Sequence, residues 1–163
     1  MAEGQITTTF EARGERGVVA YITIDRPNKL NALSIEQAGR LVDAFDALRR
    51  RDDLRAVVLT GAGDSHFNEG GQVKQHLTKR PGTHRIHFKK LLSCATAIRN
   101  CGKPVLAAVN GRAIGSGNQL QLLCDLAISS DKAVFGQHGS KRAGVPMFWG
   151  STLMSMFVGE RKA

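Results

Sequence analysis

Two glycine-rich turns carry the residue types and spacings best suited to chemistry. The first covers Phe67–Gln72 and the second Ile114–Asn118, each after a buried apolar run and each opening a predicted helix. At a strand–glycine–helix junction the first backbone N–H groups of the helix lack partners, so they can face a bound anion or a polarised oxygen. The alternative is that the glycines only let a helix pack close to a strand, and spacing alone does not separate the two interpretations.

The elements that must position these turns alternate between strands and helices, which favours an α/β fold with βαβ connections. Residues 5–25 read as an antiparallel hairpin, and Ser34 with Gln37 forms a capping box that starts a helix. Asn118 is a capping-type residue for the helix after the second turn, and 76–83 are predicted to be an exposed, mobile loop. Further predicted strands cover 54–60, 104–109, 125–130 and 133–137, and predicted helices cover 35–50, 84–100, 118–124 and 151–158.

Composition limits the classes of function. The 163 residues suit one domain, 1–163, and 23 Lys and Arg against 14 Asp and Glu give a net charge of +9. That charge suggests an anionic partner, which could be nucleic acid, an acidic membrane or a phosphorylated ligand such as coenzyme A. Three cysteines without a CxxC motif favour a reducing compartment, and the histidines lack metal-ligand spacing, so no metal site is expected. With no signal-peptide pattern and no membrane-spanning apolar run, we expect a cytoplasmic protein with no membrane partner.

From about residue 18 to 163 the chain resembles the crotonase (enoyl-CoA hydratase/isomerase) superfamily. The resemblance implies a spiral core of ββα units, and the chain stops where the helical region that builds the family's trimer would begin. It also implies a homo-oligomer, a trimer or hexamer in the family. Besides the two turns, it is carried by Asp25-Arg26-Pro27, Leu30–Leu33, Val58–Gly61, Lys103–Val105, Val109–Gly111, Cys124-Asp125 and Phe135–Gln137.

The same resemblance implies an oxyanion hole for an acyl-CoA thioester, with the backbone N–H groups of Gly71 and Ser116 as donors. Such donors stabilise an enolate-like oxyanion, and each is worth roughly 3–4 kcal/mol in well-studied hydrolases. No cofactor is implied beyond coenzyme A as part of the substrate. The residues implied to line its channel are Lys29, Leu30, Ala32, Gly70, Gln72, Val73 and Lys74.

The chain departs from the hydratase pattern at both acid/base positions. The two hydratase glutamates match Gln119 and Gly139, and neither an amide nor glycine can transfer a proton as a carboxylate does. A hydrolase, an isomerase or a C–C lyase is therefore favoured over a standard hydratase. Dihydroxynaphthoyl-CoA synthase and ketocyclohexanecarboxyl-CoA hydrolase also carry glycine at the second position, although their catalytic aspartate falls on Pro146.

Three candidates could move the proton instead. His138 is the first, because an imidazole titrates near neutral pH, and Glu69 is the second. A water held by Gln119 and Ser116 is the third. The alternatives are that His138 is a structural histidine and that Glu69 is a solvent-facing or capping carboxylate.

Other functions stay open at this point. They are an enoyl-CoA hydratase homologue with weak activity, a catalytically inactive acyl-CoA-binding scaffold, and an RNA-binding homologue that uses the basic stretch His84–Lys90. RNA binding is disfavoured because Phe88 is the single aromatic residue interleaved in that stretch.

Overall fold

Two β-sheets and four α-helices form the described part of the chain. The computed structural model describes residues 4–71, 81–139, 146 and 148–163. The strands are β1 (Gln5–Ala12), β2 (Val18–Asp25), β3 (Leu54–Gly61), β4 (His66–Asn68), β5 (Val105–Val109), β6 (Arg112–Ile114), β7 (Leu126–Ser129) and β8 (Phe135–Gly136). The helices are α1 (Ile35–Arg49), α2 (Pro81–Arg99), α3 (Ser116–Leu123) and α4 (Gly150–Val158), with short 3₁₀ turns at Gly14–Arg16 and Pro27–Lys29.

The larger sheet has the strand order β1-β2-β3-β5-β7. The predicted hairpin is confirmed, because β1 pairs antiparallel to β2, with Gln5 opposite Asp25 and Ala12 opposite Val18. The remaining strands pair in parallel. Helices connect β2 to β3 and β3 to β5, as parallel pairing requires. This confirms the predicted α/β architecture.

The core lies between this sheet and the helices, and hydrophobic periodicity explains which side chains enter it. In β2 every second residue is buried, namely Ala20, Ile22 and Ile24. In α1 the buried residues Leu41, Phe45 and Leu48 recur at helical spacing and belong to the same core cluster as Leu91 and Ile98 of α2. The predicted capping box is confirmed, with the backbone N–H of Gln37 donating to Ser34 Oγ at 3.2 Å.

Two predicted boundaries are wrong for identifiable reasons. Residues 81–83 were expected in a loop but begin α2, because a proline at the first helical position loses no hydrogen bond. Asn118 does not cap α3, since the helix begins at Ser116 with Gly115 as its N-cap. The rest of that expected loop, 76–80, lies outside the described residues.

The smaller sheet, with the parallel order β4-β6-β8, was not predicted as a separate layer. Its strands are only two or three residues long, too short to show a periodicity of their own. Each glycine turn follows a strand of this sheet, whereas the sequence suggested that the turns follow strands of the larger one. Because β4 and β6 are parallel neighbours, their carboxyl ends lie at the same edge.

Candidate active site

The smaller sheet brings the two glycine turns together. Asn68 at the end of β4 pairs with Ala113 of β6, so the residues that follow them lie side by side. A Cβ built on Gly70 would lie 3.0 Å from the carbonyl oxygen of Ile114 and 3.3 Å from the amide nitrogen of Ser116. Gly70 also has a φ of 88°, which strongly favours glycine. The two turns therefore approach one another backbone to backbone.

The hydrogen bonds around the turns leave two particular backbone donors free. The N–H of Gly70 donates to Asn68 Oδ1 at 2.7 Å, and the N–H of Gly115 donates to the carbonyl oxygen of Gly136 at 2.8 Å. Within residues 4–71, 81–139, 146 and 148–163, the N–H groups of Gly71 and Ser116 donate to no protein acceptor. Ser116 opens α3, where orphan N–H groups and the positive end of the helix dipole coincide.

Two buried asparagines hold the first turn in place, and the sequence analysis assigned no role to either. Asn68 bridges the two segments: its Oδ1 accepts from Gly70 and its Nδ2 donates to the carbonyl oxygen of Asn31 at 2.5 Å. Asn31 has a φ of 55°, and its own Nδ2 donates to the carbonyl oxygens of Ala62 and His66. For Asn68 a signal was present in the sequence, because an asparagine side chain commonly bonds the backbone two residues further on in a turn, and Gly70 stands at that position.

The segment 30–33 runs alongside the first turn. The N–H of Leu33 donates to the carbonyl oxygen of Gly70 at 2.9 Å, and the N–H of Glu69 donates to that of Leu30 at 3.1 Å. The structure thus brings together Leu30, Ala32 and Gly70, three of the residues expected to line a coenzyme A channel. Leu30 and Lys29 are exposed, whereas the side chain of Ala32 is buried. Gln72, Val73 and Lys74 lie outside the described residues.

Gln119 lies one helical turn beyond Ser116 and is 2% exposed. Its Nε2 donates to Gln137 Oε1 at 3.1 Å, a partnership that the sequence analysis missed. Gly150 packs against it so closely that a Cβ there would lie 2.7 Å from Gln119 Cγ. Gln119 Oε1 has no hydrogen-bond partner among the described residues, so a buried acceptor remains open.

His138 follows Gln137 directly and is exposed. Its ring folds back over β8, as a distance shows: a Cβ built on Gly136 would lie 3.3 Å from His138 Nε2. Gly136 in turn pairs with Ile114 and accepts from Gly115, so His138 lies beside the strand that supports the second turn. Gly139 comes next and supplies no side chain, while 140–145 and Met147 lie outside the described residues.

Glu69 is held by an arginine that the sequence analysis did not single out. Arg112 Nε donates to Glu69 Oε1 at 2.5 Å, and His66 Nε2 lies 3.8 Å from the same oxygen. The side chains of Arg112, Glu69 and His66 are 42%, 18% and 20% exposed, respectively. This cluster and its place in β4 leave His66 half-buried.

The remaining features considered from the sequence are Asp125, a metal site, a membrane span and the basic stretch. Asp125 holds the start of β5, because its Oδ2 accepts from the N–H of Val105 at 2.8 Å. No group of three or more His, Cys, Asp and Glu side chains in the described part of the chain is arranged to hold a metal ion. No described helix is both long and apolar enough to cross a bilayer. The basic stretch His84–Lys90 forms part of α2, where Arg85, Lys89 and Lys90 are exposed.

Comparison with solved structures shows the same fold in several proteins. An enoyl-CoA hydratase from Bacillus anthracis superposes with a TM-score of 0.86 at 24% identity, over 95% of this chain and 59% of that one. The protein DspI from Pseudomonas aeruginosa gives a TM-score of 0.85 at 26% identity, over 95% and 62%. An enoyl-CoA hydratase from Thermoplasma volcanium gives 0.81 at 29% identity, over 97% and 62%. The chain thus spans about three fifths of the length of these proteins.

The family of this chain follows from a match to a sequence profile. The profile described as enoyl-CoA hydratase/isomerase matches residues 14–163, which include both glycine turns and every described element after β1. The chain therefore belongs to the enoyl-CoA hydratase/isomerase family of the crotonase superfamily.

Proposed function

We propose that the chain carries the catalytic core of an acyl-CoA-transforming enzyme that stabilises a thioester enolate. The observation that supports this most strongly is that the N–H groups of Gly71 and Ser116 find no acceptor among the described residues and lie on two turns that meet backbone to backbone. Preorganised donors of this kind stabilise negative charge as it develops on the thioester oxygen, because they need no reorientation during the reaction.

The reaction that we favour is hydrolysis, isomerisation or C–C cleavage rather than standard hydration. Water addition needs a proton donor and a proton acceptor, whereas Gln119 is an amide and Gly139 has no side chain. The glycine at 139 also supports placing the chain in the branch that contains dihydroxynaphthoyl-CoA synthase and ketocyclohexanecarboxyl-CoA hydrolase. An enoyl-CoA hydratase homologue with weak activity is the nearest alternative.

His138 is our candidate for the group that moves the proton. It follows Gln137, whose side chain contacts Gln119, and it lies over Gly136 beside the second turn. The open acceptor Gln119 Oε1 would accept a hydrogen bond from a water or from a hydroxyl of the acyl group, because a buried carbonyl without a partner costs about 1–3 kcal/mol. Gln119 thus orients a reactant instead of exchanging a proton.

Coenzyme A would lie along the segment that flanks the first turn. Leu30, Ala32 and Gly70 offer backbone groups and a close approach, and Lys29 lies beside them with its ammonium available to a phosphate. The residues Gln72, Val73 and Lys74 are proposed to continue the same channel. We further propose a homo-oligomer in the cytoplasm, which size-exclusion chromatography with light scattering and fractionation of cells would test.

The direct test is exchange of the α-protons of an acyl-CoA in deuterated water, followed by NMR, after calorimetry at low salt has established binding. We expect the wild-type protein to bind acetyl-CoA or acetoacetyl-CoA and to catalyse exchange. His138→Ala should slow exchange by roughly 10²- to 10⁴-fold without loss of binding. Asp131→Asn, an exposed substitution on the turn before β8, is the matched control. Unchanged exchange in H138A would remove His138 from the mechanism, and absence of binding would refute the proposed function.

A catalytically inactive acyl-CoA-binding scaffold is the second candidate. It is favoured by one observation, the loss of both family carboxylates at Gln119 and Gly139 while the glycine turns are retained. Such a scaffold would bind acyl-CoA with the stoichiometry of an enzyme but would leave the α-protons unexchanged. The same pair of measurements therefore separates the two candidates.

A further inference from the structure

We infer that Glu69 and Arg112 form a positioning pair that fixes the distance between the two glycine turns. The inference rests on the proposed function, because it assigns the pair to the oxyanion site described above. Glu69 lies two residues before Gly71, and Arg112 lies four residues before Ser116. One partner therefore precedes each of the two proposed donors.

The contact between the two side chains is close and partly shielded from water. Arg112 Nε donates to Glu69 Oε1 at 2.5 Å, and the Glu69 side chain is only 18% exposed. Four other ion pairs of the described residues, such as Arg49–Asp46 and Arg40–Glu36, join side chains that are each more than a third exposed. Arg112 is itself 42% exposed, so the difference lies in the shielded carboxylate of Glu69, which reduces the screening of this pair by solvent and salt relative to the four surface pairs.

The backbone around Glu69 is fixed on its other side as well. Its N–H donates to the carbonyl oxygen of Leu30 at 3.1 Å, and the next N–H, that of Gly70, donates to Asn68 Oδ1 at 2.7 Å. Arg112 is fixed by its own N–H, which donates to the carbonyl oxygen of Ser65 at 2.9 Å. With both backbones held, the ion pair acts as a cross-brace between the turn after β4 and the strand that leads to the second turn.

This arrangement gives Glu69 a role other than the proton transfer considered from the sequence. Its Oε1 already accepts a hydrogen bond from Arg112, and His66 lies close to the same atom. A carboxylate in such contact holds its neighbours in place. An oxyanion hole needs its donors positioned to within a fraction of an ångström, and a misplacement of about 1 Å costs roughly a hundredfold in rate.

A double-mutant cycle tests the pair. We expect Glu69→Gln and Arg112→Gln each to slow α-proton exchange at saturating acetoacetyl-CoA by about ten- to a hundredfold, with the dissociation constant changed less than threefold. The double variant should be no slower than the slower single variant, because the same brace is lost once. Arg49→Gln, which removes an exposed ion pair with Asp46, is the matched control. Additive losses in the double variant, or exchange at the wild-type rate in either single variant, would overturn the inference.

A second readout does not depend on activity. In ¹⁵N–¹H spectra of the free protein, the amide signals of Gly70, Gly71 and Ser116 should shift or broaden in E69Q and R112Q, and stay in place in R49Q. Unmoved signals in both variants would overturn the positioning role. If wild-type protein fails to bind acyl-CoA while these signals still move, the proposed function fails and the structural brace stands, so the two failures are distinguishable.

Discussion

The carbonyl oxygen of Asn68 occupies the space that a side chain at Gly117 would need. A Cβ built on Gly117 would overlap that oxygen and would lie 2.9 Å from Asn68 Cβ. Glycine at this position therefore lets the first turn of α3 rest directly on the end of β4. The close approach sets the separation of the two proposed donors, because Gly117 follows Ser116 and Asn68 lies three residues before Gly71.

Gly117→Ala should therefore destabilise the protein, by about 1–3 kcal/mol in the free energy of unfolding, as added methyl groups do in tightly packed places. Gly39→Ala is the matched control, because Gly39 lies inside α1 and a Cβ there would meet nothing within 4 Å. Since alanine favours a helix more than glycine does, G39A should raise stability by about 0.5–1 kcal/mol. Urea titrations of both variants measure this difference, and equal midpoints would contradict the packing described here.

Asn68 is fully buried, and its side chain satisfies two backbone groups at once. Asn68→Ala would leave the N–H of Gly70 and the carbonyl oxygen of Asn31 without partners, at a cost of about 1–3 kcal/mol for each. Asn100→Ala, at an exposed position after α2, should change stability by less than about 0.5 kcal/mol. If N68A unfolds at the same urea concentration as N100A, then Asn68 does not hold the first turn.

The buried thiols predict how stability depends on alkaline pH. Desolvation raises the pKa of Cys94 and of Cys124 from 9.0 to about 12 in the folded protein. The unfolded chain then releases these protons first, so the stabilisation is complete below pH 9 and is lost as the pH rises from about 9 to 12. Between those limits each thiol contributes a slope of about 1.4 kcal/mol per pH unit.

Urea unfolding at pH 8, 9, 10 and 10.5 measures this slope. The double variant C94A/C124A should be less stable at pH 8, because it leaves cavities in the core, but its stability should fall less steeply with pH. Identical slopes for the wild-type protein and the double variant would show that these thiols ionise in the folded state. The folded thiols should also resist alkylation at neutral pH, since the thiolate is the reactive form.

Much of the fold follows from local patterns in the sequence. The hairpin over residues 5–25, the capping box of Ser34 and Gln37 and the helix predicted over 35–50 each depend on patterns a few residues long, and the structure confirms all three. The smaller sheet could not be predicted in this way, because β4, β6 and β8 are held by pairing with distant strands rather than by a period of their own.

The candidate site, like the fold, was predictable where it depends on local patterns and not where it depends on contacts between distant residues. The glycine turns around Gly71 and Ser116 are visible in sequence because they need small residues in a fixed order. The contacts of Glu69 with Arg112 and of Gln119 with Gln137 join residues 43 and 18 positions apart. Contacts at such separations depend on how distant strands pair and how helices pack beside them, which composition and spacing do not encode.

The central claim is that the backbone N–H of Ser116 stabilises an oxyanion, and Ser116→Pro tests it most directly. Ser116 is the first residue of α3, where proline is accommodated, and its replacement removes that one donor. Ser116→Ala removes the hydroxyl but keeps the N–H. We predict that S116P exchanges the α-protons of acetoacetyl-CoA about 10²- to 10³-fold more slowly than S116A, with the two proteins unfolding at similar urea concentrations. An exchange rate in S116P within threefold of that in S116A would contradict the account.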